Sequence, residues 1–251
     1  MNPQLFNKHP IPDYSKIDYS ALWNNKKRAY LDKIERFILK RVFRHSAVSN
    51  RIIDIGGGFG RLVDTYGNSF KKIILFDYSD IQLRDAAKRL KSDPRIAFVR
   101  GDIFHLPFKN DVFDTVLMIR VLHHIDKPKT VFEEIKNILI NQGNFCFTFY
   151  NSLDFRQRIK SILKNRAESV AKSEHKSIPT DKFLYLSHPG FIFRLLNDSG
   201  YEVRDRFGIG LFTGRFLALN WLFLPVDILF CKFLGLLNLT FEMLLCARLK
   251  K

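Results

Sequence analysis

The sequence predicts an α/β fold in which a mostly parallel sheet is flanked by helices. Short apolar runs alternate with helical patterns through the middle of the chain, and three of these runs lead into an acid: Asp54, Asp77 and Asp102. The carboxyl ends of parallel strands meet at one edge of an open sheet, which is where ligands bind in such folds. We therefore expect the three carboxylates to face one ligand.

A glycine-rich turn follows the first run and is the most informative stretch of the chain. Gly56, Gly58 and Gly60 alternate after Asp54. Glycine is needed where a Cβ would block a close approach or where φ is positive. The dinucleotide fingerprint G-x-G-x-x-G does not match, because its third glycine would fall on Arg61. The pattern D-x-G-x-G-x-G instead predicts a strand that turns into a helix with its backbone against a ligand.

Periodicity and helix-ending residues predict the other elements. An amphipathic helix, or two, is expected at 19–43. Gly143 is expected to end the helix that follows the fourth strand, at 128–140. The first expected strand is the apolar run that ends in Asp54, and the others are 72–76, 96–100, 111–119, 144–150 and 201–207. The expected helices are 80–91 and 128–140. The segment 182–200 is expected to be a loop followed by a helix, with Ser187 or His188 near the helix N-cap.

Four blocks in this order resemble the class I S-adenosylmethionine-dependent methyltransferases, in particular methyltransferase type 11 and the ubiquinone/menaquinone enzymes. The blocks are the glycine turn, Asp77 about 20 residues further on, the G-D-x-x-x-L-P-F stretch from Gly101, and V-L-H-H-I from Val121. The resemblance is continuous from about 51 to 150.

The resemblance implies a Rossmann-like sheet with an antiparallel last strand at 241–248, an N-terminal helical lid at 1–45, and a methyltransferase domain at 46–251. It implies S-adenosylmethionine as cofactor, with the acid of the second strand on the ribose diol and the acid of the third strand near the adenine. The implied cofactor-binding residues are Asp54, Gly56, Gly58, Gly60, Asp77, Tyr78, Asp102, Ile103 and Arg120.

Each acid also has a purely structural interpretation. Asp54 could cap the turn, Asp102 could be a turn residue, and Asp77 could cap the next helix, although Ser79 and Asp80 are better placed for that. The three acids at successive strand ends together favour a shared ligand.

His123 and His124 are the candidate catalytic residues, since they follow the fourth strand and histidine titrates in the useful range. A base is needed only if the acceptor loses a proton, so a capping or cofactor-contact role stays open. Tyr14, Tyr19 and Tyr150 could orient an acceptor or shield the sulfonium.

The chain of 251 residues has a formal net charge of +16, with a dense basic run at 156–182. The charge indicates either an anionic partner or a solvated basic surface. The three cysteines lie in apolar runs without metal-ligand spacing, so buried thiols and no metal site are expected. The N-terminus lacks the apolar stretch of a signal peptide, which favours a cytoplasmic protein.

The segment 208–240 is apolar but broken by Pro225, Asp227 and Lys232, so no run reaches the roughly 18 residues of a spanning helix. Two short buried helices over the substrate pocket are one interpretation. The other is a peripheral membrane contact or lipid-substrate cap, with Trp221 at the headgroup level.

Three functions follow as hypotheses. The first is a methyltransferase for a small-molecule or lipid-like acceptor. The second is an RNA or protein methyltransferase that uses the basic surface, although the fourth-strand block lacks the N/D-P-P-Y/F signature of amino-group nucleic-acid enzymes. The third is a non-catalytic binding module, against which the intact acidic and glycine positions argue.

Overall fold

The computed structural model describes residues 21–44, 49–155, 158–159, 175–178, 181–211 and 220–251. The helices are α1 (Lys26–Phe43), α2 (Val63–Tyr66), α3 (Asp80–Leu90), α4 (Pro128–Ile138), α5 (Pro189–Asp198) and α6 (Asn220–Leu236). The strands are β1 (Ser49–Ile55), β2 (Phe70–Asp77), β3 (Ile96–Arg100), β4 (Phe113–Met118), β5 (Leu139–Tyr150), β6 (His175–Ile178), β7 (Asp181–Ser187), β8 (Tyr201–Ile209) and β9 (Glu242–Leu249).

Seven strands form the main sheet in the order β3-β2-β1-β4-β5-β9-β8. The five strands from β3 to β5 run parallel, whereas β9 pairs antiparallel with both β5 and β8. The predicted fold class and the antiparallel last strand are thereby confirmed. The order in which the chain adds strands to the sheet reverses between β1 and β4. In such sheets, ligands bind in the crevice at the carboxyl ends of the two strands on either side of this point.

Helices cover both faces of the sheet. One core cluster contains α4 and α5 side chains packed on the phenylalanines of β5, such as Phe145 and Phe147. The other contains α1, α2, α3 and α6 side chains, including Ile34 and Cys231. The three cysteines are free and buried, as predicted.

Local sequence explains where the helices begin. The Asn25 side chain accepts the backbone N–H of Arg28 at 2.9 Å and caps α1. Ser79, rather than Asp77, caps α3, since its side chain accepts the N–H of Gln82. Pro128 lies in the first turn of α4, where a missing N–H costs no helical hydrogen bond.

Two predicted boundaries are wrong. The helix expected at 128–140 ends at Ile138, and β5 begins directly at Leu139, so Gly143 lies inside the strand rather than at the end of a helix. The register of β5 against β4 shifts there, and Gln142 has a φ of 64°. A local bulge therefore replaced the predicted turn.

The region before α5 and the apolar insert also differ from expectation. Residues 182–187, expected as a loop, belong to β7, which pairs with β6 in a separate hairpin. The described part of the insert holds one helix, α6, with Pro225 inside it, rather than two short buried ones. Eight of its residues between 222 and 236 are exposed. No helix among the described residues is long and apolar enough to cross a membrane.

Some predictions concern residues outside the described ranges. These are Tyr14, Tyr19, most of the basic run 156–182, the side chain of Trp221 and the domain boundary at 45–46.

Candidate active site

The glycine turn leaves β1 with three positive φ angles, 70° at Gly56, 53° at Gly58 and 74° at Gly60. Its backbone is tied to the neighbouring strand, because the N–H of Gly56 donates to the Phe76 carbonyl at 2.7 Å. A Cβ on Gly56 would lie 2.2 Å from Val121, whereas a Cβ on Gly58 would meet nothing closer than 3.7 Å. Gly58 thus presents open space at the crevice, while Gly56 is needed for packing.

Asp77 lies opposite Gly58 at the end of β2. Its Oδ2 accepts the Gly58 N–H at 2.9 Å, and its Oδ1 accepts the Ser79 N–H at 2.9 Å. Burial raises the pKa of Asp77 to about 6, although the amides of Ser79 and Gly58 favour the ionised form. The backbone amides leave at least one of the carboxylate's roughly four acceptor sites for a ligand hydroxyl.

A second acceptor beside Gly58 has no partner among the described residues. Gln82 is 5% exposed, and its Oε1 is buried without a hydrogen bond. That atom would lie 3.7 Å from a Cβ on Gly58, and Asp77 Oδ2 would lie 4.0 Å from it. Buried acceptors without donors are costly, so the Asp77–Gln82 pair fits a ligand that donates two hydrogen bonds, as a ribose diol does.

Asp54 forms the floor of the crevice. It is 3% exposed, and its Oδ2 accepts the Tyr66 hydroxyl at 2.8 Å. Burial raises the pKa of Asp54 to about 7, against the effects of the Tyr66 hydrogen bond and the charge of Arg61. The side chain thereby joins β1 to α2, which differs from the turn cap that was the structural alternative for this residue.

The third predicted acid, Asp102, lies next to the end of β2, because the Gly101 N–H donates to the Asp77 carbonyl at 3.1 Å. Its Oδ1 accepts the Phe104 N–H at 2.9 Å, so it also shapes the turn, as its structural interpretation proposed. Ile103 is buried beside it. Tyr78 is half-buried, and its carbonyl accepts Arg100 Nε at 3.1 Å.

A cleft of about 440 Å³, including the part open to solvent, runs along the glycine turn. Its lining comprises Trp23, Asp54, Gly56, Gly57, Gly58, Phe59, Arg61, Leu62, Ile119 and Arg120. Predicted site residues from β1, the glycine turn and the end of β4 therefore share one concave surface.

Buried ion pairs fix one wall of this cleft. Arg120 Nε donates to Glu35 Oε1 at 2.6 Å, and its Nη2 lies 2.8 Å from Glu242 Oε2. Arg61 Nη2 donates to the other oxygen of Glu35 at 2.6 Å. Both glutamates are almost fully buried. Arg120, predicted to bind cofactor, is thus held by carboxylates from α1 and β9.

The charges of this wall perturb one another. Burial alone would lower the pKa of Arg120, but the carboxylates of Glu242 and Glu35 raise it overall, so the guanidinium stays charged. Burial raises the pKa of Glu242 against the effect of Arg120. Trp23 covers the pairs, with the Arg61 guanidinium 3.6 Å from its ring centroid, a distance typical of cation–π contact.

His123 and His124 lie in a short turn (Leu122–His124) after β4. The His123 ring stacks on Tyr150, with centroids 3.9 Å apart and an interplanar angle of 9°, and its centroid lies 4.1 Å from that of His124. Burial lowers the pKa of His123 well below its usual range, and the charges of His124 and Arg120 lower it further. Its Nδ1 is buried with no hydrogen-bond partner among the described residues.

The β6–β7 hairpin covers this turn. The ring of His175 is fixed from both sides, because its Nε2 lies 2.7 Å from the Ile125 carbonyl and its Nδ1 lies 2.9 Å from the Ser187 hydroxyl. The carbonyl must accept, so Nε2 carries the proton and Nδ1 accepts from Ser187. Its ring stacks on Tyr185 at 4.7 Å.

Several residues of the site were missed by the sequence analysis: Trp23, Glu35, Arg61, Gln82, His175 and Glu242. Two of them had a detectable signal. Glu35 lies within the apolar stripe of α1, and Glu242 begins an apolar last strand. A charge on a buried face usually has a partner.

The sequence comparisons agree with this geometry. The family profile described as "Methyltransferase domain" matches residues 53–147. An uncharacterized protein of Methanocaldococcus jannaschii is 33% identical over 132 residues, which is 53% of this chain and 52% of that protein. Demethylmenaquinone methyltransferase of Clavibacter sepedonicus is 30% identical over 102 residues, 41% of this chain and 42% of the enzyme. The chain thus spans about half the length of these relatives, or less.

Solved structures share the fold. Magnesium protoporphyrin IX methyltransferase of Synechocystis PCC 6803, solved with bound SAH, superposes with a TM-score of 0.64 at 13% identity and covers 92% of this chain and 93% of that one.

The open sheet with an antiparallel last strand is the fold that this chain shares with the solved methyltransferase structure. Residues 53–147 of the chain form a domain of the class I S-adenosylmethionine-dependent methyltransferases. Its cofactor is S-adenosylmethionine, and the open space at Gly58 with the acceptors Asp77 and Gln82 fits that molecule.

Proposed function

We propose that the protein transfers a methyl group from S-adenosylmethionine to a small-molecule or lipid-like acceptor. The observation that carries the proposal is the pair of acceptors, Asp77 and Gln82, beside the open side of Gly58 at the carboxyl edge of the sheet. When bound, the cofactor supplies an electrophilic methyl group on a sulfonium sulfur.

The chain's own residues then have mainly binding and positioning roles. Asp77 and Gln82 accept hydrogen bonds from the ribose, and Gly58 lets the backbone approach the ligand. The wall of Arg61, Arg120 and Glu35 keeps one side of the cleft rigid. Holding the reacting groups in fixed geometry supplies a large part of the rate acceleration in such reactions.

His123 is the proposed base for an acceptor that loses a proton. The stack on Tyr150 fixes its ring, and its Nδ1 has no hydrogen-bond partner in the described part of the chain. A neutral ring nitrogen without a donor is able to accept a proton. His124, which is half-buried beside it, would contact the acceptor or the base.

The class of acceptor is supported by similarity and not by a contact in the structure. The Clavibacter relative is a demethylmenaquinone methyltransferase, and a relative from Schizosaccharomyces pombe is a sterol 24-C-methyltransferase. We therefore favour a small-molecule or lipid-like acceptor over RNA or protein.

Two measurements test the proposal. Calorimetry with S-adenosylhomocysteine compares wild type with Asp77→Ala and, as a matched control, Asp85→Ala. Asp85 is a half-exposed carboxylate on α3 that lies 3.3 Å from Lys88. Removing a carboxylate that accepts ligand hydrogen bonds should cost roughly 1.5–3 kcal/mol of binding free energy, and the control should bind normally. Equal affinity in all three proteins would remove Asp77 from the site.

The second measurement identifies the acceptor. Protein with methyl-labelled cofactor is incubated with lipid, polar small-molecule, RNA and protein fractions of an extract. We expect label in the lipid or small-molecule fraction, and less label with His123→Gln at unchanged S-adenosylhomocysteine affinity. Label in RNA or protein alone would contradict the proposed acceptor, and binding without transfer to any fraction would favour a non-catalytic module.

A further inference from the structure

Apart from Asp227 and Lys232, which pairs with Asp205, the described side chains of helix α6 are apolar on both sides, but only one side is covered. Leu224, Ile228 and Cys231 pack into the core cluster that contains α1. The opposite side faces solvent, with Leu229 75% exposed and Phe233 55% exposed. Helices that border water normally carry polar residues on their outer side. The exposed side, called here the apolar face, consists of Leu222, Val226, Leu229, Phe230, Phe233 and Leu236.

This concentration is local. Twelve large apolar residues are exposed in the described part of the chain; seven of them lie between 222 and 237, and none belongs to α4 or α5 on the opposite side of the sheet. Scattered exposed apolar residues are ordinary, but a contiguous patch usually marks an interaction site. With 17 residues, α6 offers a strip of about 25 Å.

Positive charge borders the apolar face, because α1 packs beside α6. The Tyr30 hydroxyl of α1 donates to Asp227 of α6 at 2.6 Å. Burial raises the pKa of the Cys231 thiol on α6, and the charge of Arg41 on α1 offsets part of that rise. Four exposed residues in or just after α1 form what is called here the basic stripe: Lys33, Lys40, Arg41 and Arg44. Phe37, also partly exposed, lies among them.

The acids of α1 do not neutralise this stripe. Asp32 pairs with Arg36 and Arg61, and Glu35 is buried between Arg61 and Arg120. Both carboxylates therefore point toward the glycine turn. The outer surface of α1 keeps its positive charge and lies next to an apolar strip.

We propose that the apolar face and the basic stripe together bind the surface of a phospholipid bilayer with anionic headgroups. Apolar side chains on such a helix enter the boundary between headgroups and acyl chains, and neighbouring lysines and arginines attract anionic lipid. A second copy of the chain fits less well, since each copy carries a net charge of +16 and like charges repel. RNA would match the charge but would leave the apolar face in water.

Vesicle co-sedimentation tests the inference without cofactor or acceptor, so the result is independent of the proposed methyl transfer. The probes are vesicles of phosphatidylcholine with about 30% phosphatidylserine and vesicles of phosphatidylcholine alone, each at low and high salt. We expect binding to the anionic vesicles that salt weakens but does not abolish, because screening acts on the charges and not on apolar insertion.

Two pairs of variants separate the two parts of the surface. Leu229→Glu/Phe233→Glu should lower partitioning at least about tenfold, whereas Ile81→Glu, at an exposed apolar position on α3, should not change it. Lys33→Glu/Lys40→Glu should lower partitioning to anionic vesicles at least about tenfold, whereas Lys129→Glu/Lys136→Glu on α4 should have little effect. Thermal melting checks that each variant is folded.

Three results would overturn the inference. Absence of binding to anionic vesicles at low salt is the first. Equal binding by Leu229→Glu/Phe233→Glu and Ile81→Glu is the second, because the apolar face would then have no part in it. A wild-type dimer that becomes a monomer in the α6 variant, without vesicle binding, would assign the face to self-association.

Discussion

Replacing Gly58 with alanine should abolish cofactor binding while leaving the protein folded. The Cβ of Gly58 would point into open space, since the nearest atoms are Gln82 Oε1 at 3.7 Å and Asp77 Oδ2 at 4.0 Å. That space is where the ligand's ribose is expected. Gly60→Ala is the control for the backbone cost, because Gly60 has a similar φ. The family resemblance implied Gly60 as a cofactor-binding residue, but it does not line the cleft.

The structure sets the expected magnitudes. A non-glycine residue at the φ of 53° found at Gly58 costs roughly 1–2 kcal/mol of stability. For a chain of this length that corresponds to a lower melting temperature by roughly 2–8 °C. Gly60→Ala carries the same backbone cost and also places a Cβ 2.5 Å from Leu90 Cδ1. The added overpacking costs roughly 1–3 kcal/mol, so Gly60→Ala should be the less stable variant.

Ligand affinity should show the opposite order. Thermal melting and calorimetry with S-adenosylhomocysteine are measured on wild type and both variants. Gly58→Ala should lose at least about 2 kcal/mol of binding free energy, since a methyl group cannot share the space of the ligand, while Gly60→Ala should bind within about threefold of wild type. A Gly58→Ala protein with wild-type affinity would show that the turn does not contact the ligand.

Three further outcomes are expected. Affinity for S-adenosylhomocysteine should fall about fourfold from pH 7.5 to 5.5, because Asp77, with a pKa of about 6, loses its charge; calorimetry of Asp77→Asn should show no such fall. The pKa of Asp54, about 7, is raised above its value in the unfolded chain, so the protonated carboxyl stabilises the fold at acid pH and this stabilisation is lost as the pH rises. In thermal melts, the free energy of unfolding of Asp54→Asn should therefore rise by about 2–3 kcal/mol relative to that of wild type between pH 5 and 8. A difference that stays constant with pH would contradict this. Glu35→Gln should lower the free energy of unfolding by roughly 3–5 kcal/mol in denaturant titrations, since it leaves Arg61 and Arg120 undercompensated, and a loss below about 1 kcal/mol would show that water or other groups compensate them.

The central part of the fold could be predicted because its signals are local. The run from Arg51 to the glycine turn combines an apolar strand, an acid and glycines within a few residues, and each feature has a backbone cause. Strand β3 was predicted with the observed bounds, and α3 within one residue, because Ser79 and Pro94 mark nearby helix limits. The β9 strand was placed from the resemblance rather than from its own pattern.

The wall of the cleft could not be predicted, because its contacts are far apart in sequence. Glu35 and Arg120 are separated by 85 residues, and nothing in either segment alone indicates the other. The bulge at Gln142 and Gly143 also depended on pairing with β4, since the same residues are typical of a helix end. Sequence periodicity likewise described α6 as apolar but could not tell which side the core would cover.

Helix α1 divides its charges between two surfaces, and this division links the candidate site to the proposed membrane contact. Glu35, on the inner side, ties α1 to Arg61 of the glycine turn and Arg120 at the end of β4. Lys33 and Lys40, on the outer side, border the apolar face of α6. A helix held by buried ion pairs at the cleft would hold the outer charges at a fixed height above the sheet. An acceptor dissolved in a bilayer would then meet the protein beside the helix whose Glu35 holds Arg61 and Arg120 in the wall of the cofactor cleft.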